Sequence, residues 1–117
     1  MMNKCILSEL YETISERKKE ARGETGENDK SYTKYLFREG INKILKKIGE
    51  ESAETIIAAK DAKNGDCSAL LVGEVADLFY HVLVMLAELG INYEEVEEEL
   101  IERSKKMGNL KAQNKAN

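Results

Sequence analysis

The chain has 117 residues, 34% charged and 6% aromatic, no proline, and a formal charge of −4. That length fits one compact domain over residues 1–117, and a chain rich in alanine, leucine, lysine and glutamate fits an all-helical one. An acidic balance speaks against non-specific nucleic-acid binding, which needs a basic face, but leaves room for an anionic substrate whose charge a metal ion offsets.

In chain order, the first helix is expected from about Lys4 to Ala21, where Leu7, Leu10, Ile14 and Arg17 recur at helical spacing. Its start, MMNKCILSELYE, holds no long apolar run and does not read as a signal peptide. RGETGENDKS, residues 22–31, then breaks the helix with glycines and polar residues. Without an apolar anchor it is a candidate mobile loop, or one that orders over a ligand. A second helix is expected from about Thr33 to Lys63, with Phe37, Ile41, Ile44, Ile48, Thr55 and Ala59 as one stripe. Asn64-Gly65 closes it, Gly65 serving as the left-handed cap. Asp66 suits the N-cap of a third helix running to Leu89 and Gly90. A fourth starts at Asn92, with Ile91 and Val96 placed for a hydrophobic staple and Glu95 for a capping box. It ends near Gly108, and residues 108–117 read as a frayed tail.

The third helix, LLVGEVADLFYHVLVMLAEL, is apolar nearly all round, more than a few short neighbours can cover. The expected architecture is therefore a helical bundle with an antiparallel two-helix hairpin as its core, completed by a homodimer or higher homo-oligomer. The apolar run from Val75 to Ala87 is too short and too interrupted for a membrane span. Cys5 and Cys67 sit in no metal-ligand or redox spacing, which fits free thiols and a cytoplasmic location.

Two acidic pairs interrupt the apolar faces. Glu51 falls at the edge of the stripe formed by Ile44, Ile48 and Thr55, and Glu54 neighbours it one turn on. In the third helix Glu74, Asp77, His81 and Glu88 fall on one narrow line. A tight turn at Gly65 makes the helices antiparallel, and a rise of about 1.5 Å per residue brings Glu54 level with Glu74 and Asp77. Glu51 falls a turn beyond, near Asp77 and His81. Four carboxylates at one height repel unless a cation sits between them, and oxygen-only ligands suit magnesium, with manganese as a substitute. An isolated acidic pair on a helix is usually a solvated face, as Glu94 to Glu99 is; two pairs facing each other across one hairpin are not. His81 stays outside this expected set. Gly49 and Gly73 each weaken a helix by about 1 kcal/mol against alanine, so a close approach or mere tolerance explains them.

The motifs EESAE, residues 50–54, and EVAD, residues 74–77, resemble those of the all-alpha nucleoside triphosphate pyrophosphatases. The run SYTKYLFREGINKILKKIGEESAETIIAAK and GEVADLFYHVLVMLAELG narrow the resemblance to phosphoribosyl-ATP pyrophosphohydrolase, over about Ser31 to Glu102. The resemblance implies a stand-alone enzyme that hydrolyses phosphoribosyl-ATP to phosphoribosyl-AMP and pyrophosphate, the second step of histidine biosynthesis. It also implies metal ligands at Glu51, Glu54, Glu74 and Asp77, and assembly from more than one subunit. Asp61 departs from the asparagine usual after AAK. Glu50 is the candidate to orient or deprotonate the attacking water. Lys46, Lys47 and Lys60 are placed to reach outer phosphates, though solvated lysines are an equal reading. Three other readings remain: a house-cleaning pyrophosphatase for non-standard nucleotides, a non-catalytic helical dimerisation module, and a di-iron bundle. The last needs paired Glu-x-x-His motifs, and the chain has a single histidine.

Overall fold

A computed structural model describes residues 5–23, 31–65 and 68–107 of the chain. The loop expected to be mobile (mostly 24–30), the Asp66 cap, Cys67 and the tail from Gly108 lie outside the described residues. Five helices and no strand are present among the described residues: α1 (Ile6–Gly23), α2 (Tyr32–Glu39), α3 (Ile41–Lys63), α4 (Ser68–Glu88) and α5 (Tyr93–Lys106). The all-helical bundle is therefore as the composition and periodicity require, and α3 and α4 form its longest mutual contact.

The single helix expected from Thr33 to Lys63 is instead two. Ser31 caps α2 by accepting a hydrogen bond from the Lys34 amide at 3.2 Å, and Gly40 ends it. Gly40 has φ 94° and ψ −175°, a region that is essentially glycine-only. Periodicity runs through the break, because Leu36, Phe37 and Ile44 are all buried on the same core. Within α3 the buried line is Ile44, Glu51 and Ala58, not a line ending at Ala59, which is exposed. Steps of seven residues stay close to one face, and that face is the one α4 covers.

The turns are set by glycine. Gly65 after α3 and Gly90 after α4 have φ of 103° and 73°. At Gly90 the Ile91 amide reaches back to the Leu86 carbonyl at 2.9 Å, and the Gly90 amide to that of Ala87 at 3.2 Å. Those paired bonds satisfy carbonyls that the end of α4 would leave open. Lys18 donates to the Ala87 carbonyl at 2.7 Å, fastening α1 to the same end. Asn92 caps α5 by position, but no side-chain hydrogen bond completes the expected capping box, and Ile91 is exposed.

The core lies at one end of the hairpin. Ile14 and Ala21 of α1, Leu36 and Phe37 of α2, Ile44 of α3, and Leu83, Val84, Leu86 and Ala87 of α4 form it with Tyr93. The other end is bare: Ile56, Ile57, Leu70 and Val72 are 65%, 60%, 60% and 66% exposed. By length and composition alone α4 is apolar enough to cross a membrane. Its C-terminal half instead packs into this core, and Glu74 and Asp77 interrupt its N-terminal half.

Two glycines separate the backbone effects. Gly40→Ala forces an L-residue into a glycine-only conformation and should destabilise by about 1–3 kcal/mol. Gly49 lies inside α3 with nothing within 4 Å of an added Cβ, so Gly49→Ala should stabilise by up to about 1 kcal/mol. Chemical denaturation of both variants checks the opposite signs.

Candidate active site

The acidic pairs meet where the closed and bare ends of the hairpin join. Glu51, on the buried face of α3, is only 6% exposed. Glu54 is one turn further along α3, and Glu74 comes from α4. One carboxylate oxygen from each of these three lies within 4.8 Å of the others. Asp77 is outside that trio. It still stands close enough to raise the proton affinity of both Glu51 and Glu74. The antiparallel register thus brings the pairs together as the spacing requires, with a buried side at Glu51 and an open side at Glu54 and Glu74.

The electrostatics are those of an uncompensated cluster. Burial, then the charges of Glu54 and Asp77, push the Glu51 carboxyl up, against the pull of His81 and Lys47. The Glu74 carboxyl is pushed up to about 7. Its largest cause is a side-chain hydrogen bond with Glu54, followed by burial and by the charges of Glu54, Glu51 and Asp77. Glu51 Oε2 and Glu74 Oε2 are buried and have no hydrogen-bond partner among the described residues. Buried polar atoms normally find a partner, and leaving a carboxylate oxygen without one is costly. Two orphaned oxygens inside a three-carboxylate cluster are the donor set of a hard divalent cation, which the residues present therefore fit.

Around the cluster, Lys47 pairs with Glu50 at 3.2 Å and approaches Glu51 at 3.9 Å. The hydrogen bond to Glu50 raises the Lys47 pKa. Glu50 lies one helical turn before Glu54, on the open side. Lys46 and Lys60 are exposed, at places about 140° and 180° round α3 from Glu51. The structure does not bring these two to the cluster within one chain. Asp61 does come near, lining with Glu54, Ile57, Ala58, Leu70 and Glu74 a recess of about 150 Å³.

The family model for PRA-PH, phosphoribosyl-ATP pyrophosphohydrolase, matches residues 7–104, a span that takes in α2, α3 and α4 whole and nearly all of α1 and α5. The chain belongs to the phosphoribosyl-ATP pyrophosphohydrolase family. A phosphoribosyl-ATP pyrophosphatase of Pelotomaculum thermopropionicum is 51% identical over 106 residues, covering 91% of this chain and 98% of the relative. One from Clostridium novyi is 42% identical over 111 residues, covering 95% and 92%. The histidine biosynthesis bifunctional protein HisIE of Lactococcus lactis is 44% identical over 106 residues, or 91% of this chain and 45% of that protein.

Two residues of this family member were not expected at the site. His81 is 4% exposed, and its Nδ1 is 4.0 Å from Glu51 Oε1. Tyr32, from the start of α2, places its hydroxyl 2.9 Å from His81 Nε2. The line through Glu74, Asp77 and His81 carried a signal for the histidine. Nothing periodic marks Tyr32, because it reaches the site only through the bend at Gly40.

The raised Glu74 carboxyl fixes a pH dependence. Its folded value, about 7, lies above the ordinary 4.5. Between those values the folded chain therefore holds a proton that the unfolded chain has released, so stability falls as pH rises through that window. The metal-free protein should melt at a higher temperature at pH 6 than at pH 8, and Glu74→Gln should remove most of the difference. Melts in chelator at both pH values check it; an undiminished difference in the variant would place the repulsion elsewhere.

Proposed function

We propose that this chain hydrolyses phosphoribosyl-ATP to phosphoribosyl-AMP and pyrophosphate, the second step of histidine biosynthesis, using a magnesium-dependent site on Glu51, Glu54, Glu74 and Asp77. The observation that carries the site is the pair of orphaned buried oxygens on Glu51 and Glu74 within a three-carboxylate cluster. The names of the relatives supply the reaction. Magnesium held there, or manganese in its place, would offset the triphosphate charge and polarise phosphoryl oxygens. Glu51 would hold the ion from the buried side, and Glu54, Glu74 and Asp77 from the open side where a nucleotide can enter. Glu50, beside Glu54 and paired with Lys47, is placed to orient a water and accept its proton. Lys47 becomes free for an outer phosphate when that pair opens. Lys46 and Lys60 serve substrate only if a second subunit or a bend in the ligand brings phosphate to their side of α3.

The bare end supports a homodimer. Ile56, Ile57, Leu70 and Val72 are exposed apolar side chains on the surface of the hairpin beyond the site. Each contributes on the order of 1.5–3 kcal/mol when removed from water, so a second copy of this surface is the natural cover. Light scattering at micromolar concentration should give twice the chain mass; a monomer mass would refute the dimer.

Glu51→Gln and Asp77→Asn should each abolish turnover while helical circular dichroism persists. Magnesium should also raise the melting temperature, by binding the folded form only, and Glu54→Gln should melt higher than wild type in chelator with a smaller magnesium shift. Pyrophosphate release measured with phosphoribosyl-ATP, ATP and other nucleoside triphosphates tests the substrate. Equal rates across the panel would replace the proposed reaction with general nucleotide clearance, and active Glu51→Gln would sink the metal assignment.

A further inference from the structure

Glu51 is a buried carboxylate whose Oε2 has no partner among the described residues and whose Oε1 faces His81 Nδ1 at 4.0 Å. The imidazole is fixed at both nitrogens. Its Nδ1 lies 2.8 Å from the main-chain oxygen of Asp77, which can only accept, so Nδ1 carries the hydrogen. In the neutral ring Nε2 is then an acceptor, and the Tyr32 hydroxyl donates to it at 2.9 Å. Tyr32 is itself held. Its ring stacks on Tyr35 and Tyr80 with centroids 6.1 and 6.2 Å away, and meets the His81 ring edge-on at 5.8 Å. Thr33, the next residue, hydrogen-bonds the Tyr80 hydroxyl, so the first turn of α2 docks on α4 at two adjacent points.

This docking depends on the break at Gly40. Tyr32 and Glu51 are 19 positions apart, and along one unbroken helix they would stand roughly 28 Å apart at 1.5 Å per residue. The glycine-only conformation of Gly40 turns α2 back along the bundle, where its first residue meets His81.

We propose that Tyr32 and His81 are positioning residues, a brace that α2 extends to the acidic cluster. Tyr32 holds the ring plane of His81, whose tautomer the Asp77 carbonyl sets. His81 holds the Asp77 backbone and faces Glu51 Oε1 with its N–H edge, which leaves Glu51 Oε2 as the oxygen available to a cation. The brace rests on the metal reading of the quartet and adds to it a second layer that no acidic residue supplies. Partners of this kind typically change metal affinity by 10–100-fold when removed.

Because His81 is the only histidine, its ring nitrogens can be read without assignment. Long-range proton–nitrogen NMR of the metal-free protein near pH 8 should show the Nδ1–H tautomer, and in Tyr32→Phe the Nε2 resonance should move as its hydrogen bond is lost. Calorimetric titration with manganese should give a dissociation constant about tenfold weaker for Tyr32→Phe than for wild type. A merely structural tyrosine would lower the melting temperature in chelator and leave the manganese affinity of the folded protein unchanged. An Nε2–H tautomer in wild type, or equal manganese affinity in the two proteins, overturns the brace while leaving the quartet intact. No saturable manganese binding by wild type overturns the metal reading, and the brace with it.

Discussion

Glu51 is the constraint around which the bundle is arranged. A carboxylate that is 6% exposed, beside two other carboxylates, with one oxygen lacking a partner among the described residues, opposes folding. Every nearby feature reduces or uses that opposition. Lys47 and His81 approach Glu51, and a hydrogen bond with Glu54 helps to push the Glu74 carboxyl up. Replacing the cluster with leucine or alanine would give a more ordinary hairpin core. The placement makes sense as a cost accepted for binding a cation, which is how functional sites commonly stand against stability.

The remainder of the molecule is divided to support this. One end of the α3–α4 hairpin is closed by α1, α2 and the start of α5, with Ile14, Leu36, Ile44 and Val84 almost fully buried. The far end carries exposed isoleucine, leucine and valine that the other described residues leave uncovered. The acidic cluster sits at the boundary, where a carboxylate can be dry on one side and wet on the other. A site placed deeper would lose access to a nucleotide. A site placed further toward the bare end would lose the burial that makes its electrostatics strong.

Composition, glycine positions and three- and four-residue spacing made the helices legible, as did the antiparallel hairpin. The acidic pairs were legible too, since a turn at Gly65 and a fixed rise per residue leave little freedom in their register. The break at Gly40 was not. The apolar stripe crosses it with the same period on both sides, because Leu36, Phe37 and Ile44 pack on one core, so periodicity alone joins α2 to α3. The line ending at Ala58 rather than Ala59 was lost for a related reason: α4 follows the seven-residue face of α3, and only the packed pair shows which face that is.

The sequence by itself therefore determined the helical class, the hairpin and the carboxylates that meet across it, because each follows from local geometry repeated along a rigid rod. It also carried the family, in motifs spaced along those rods. Tertiary structure alone decided that Glu51 is buried while Glu54 faces outward, that Asp77 stands apart from the other three, and that Tyr32 reaches His81. Those outcomes depend on how helices distant in sequence are set against one another. One glycine-only dihedral at Gly40 turns α2 back toward α4, and no periodic pattern encodes the direction of that turn.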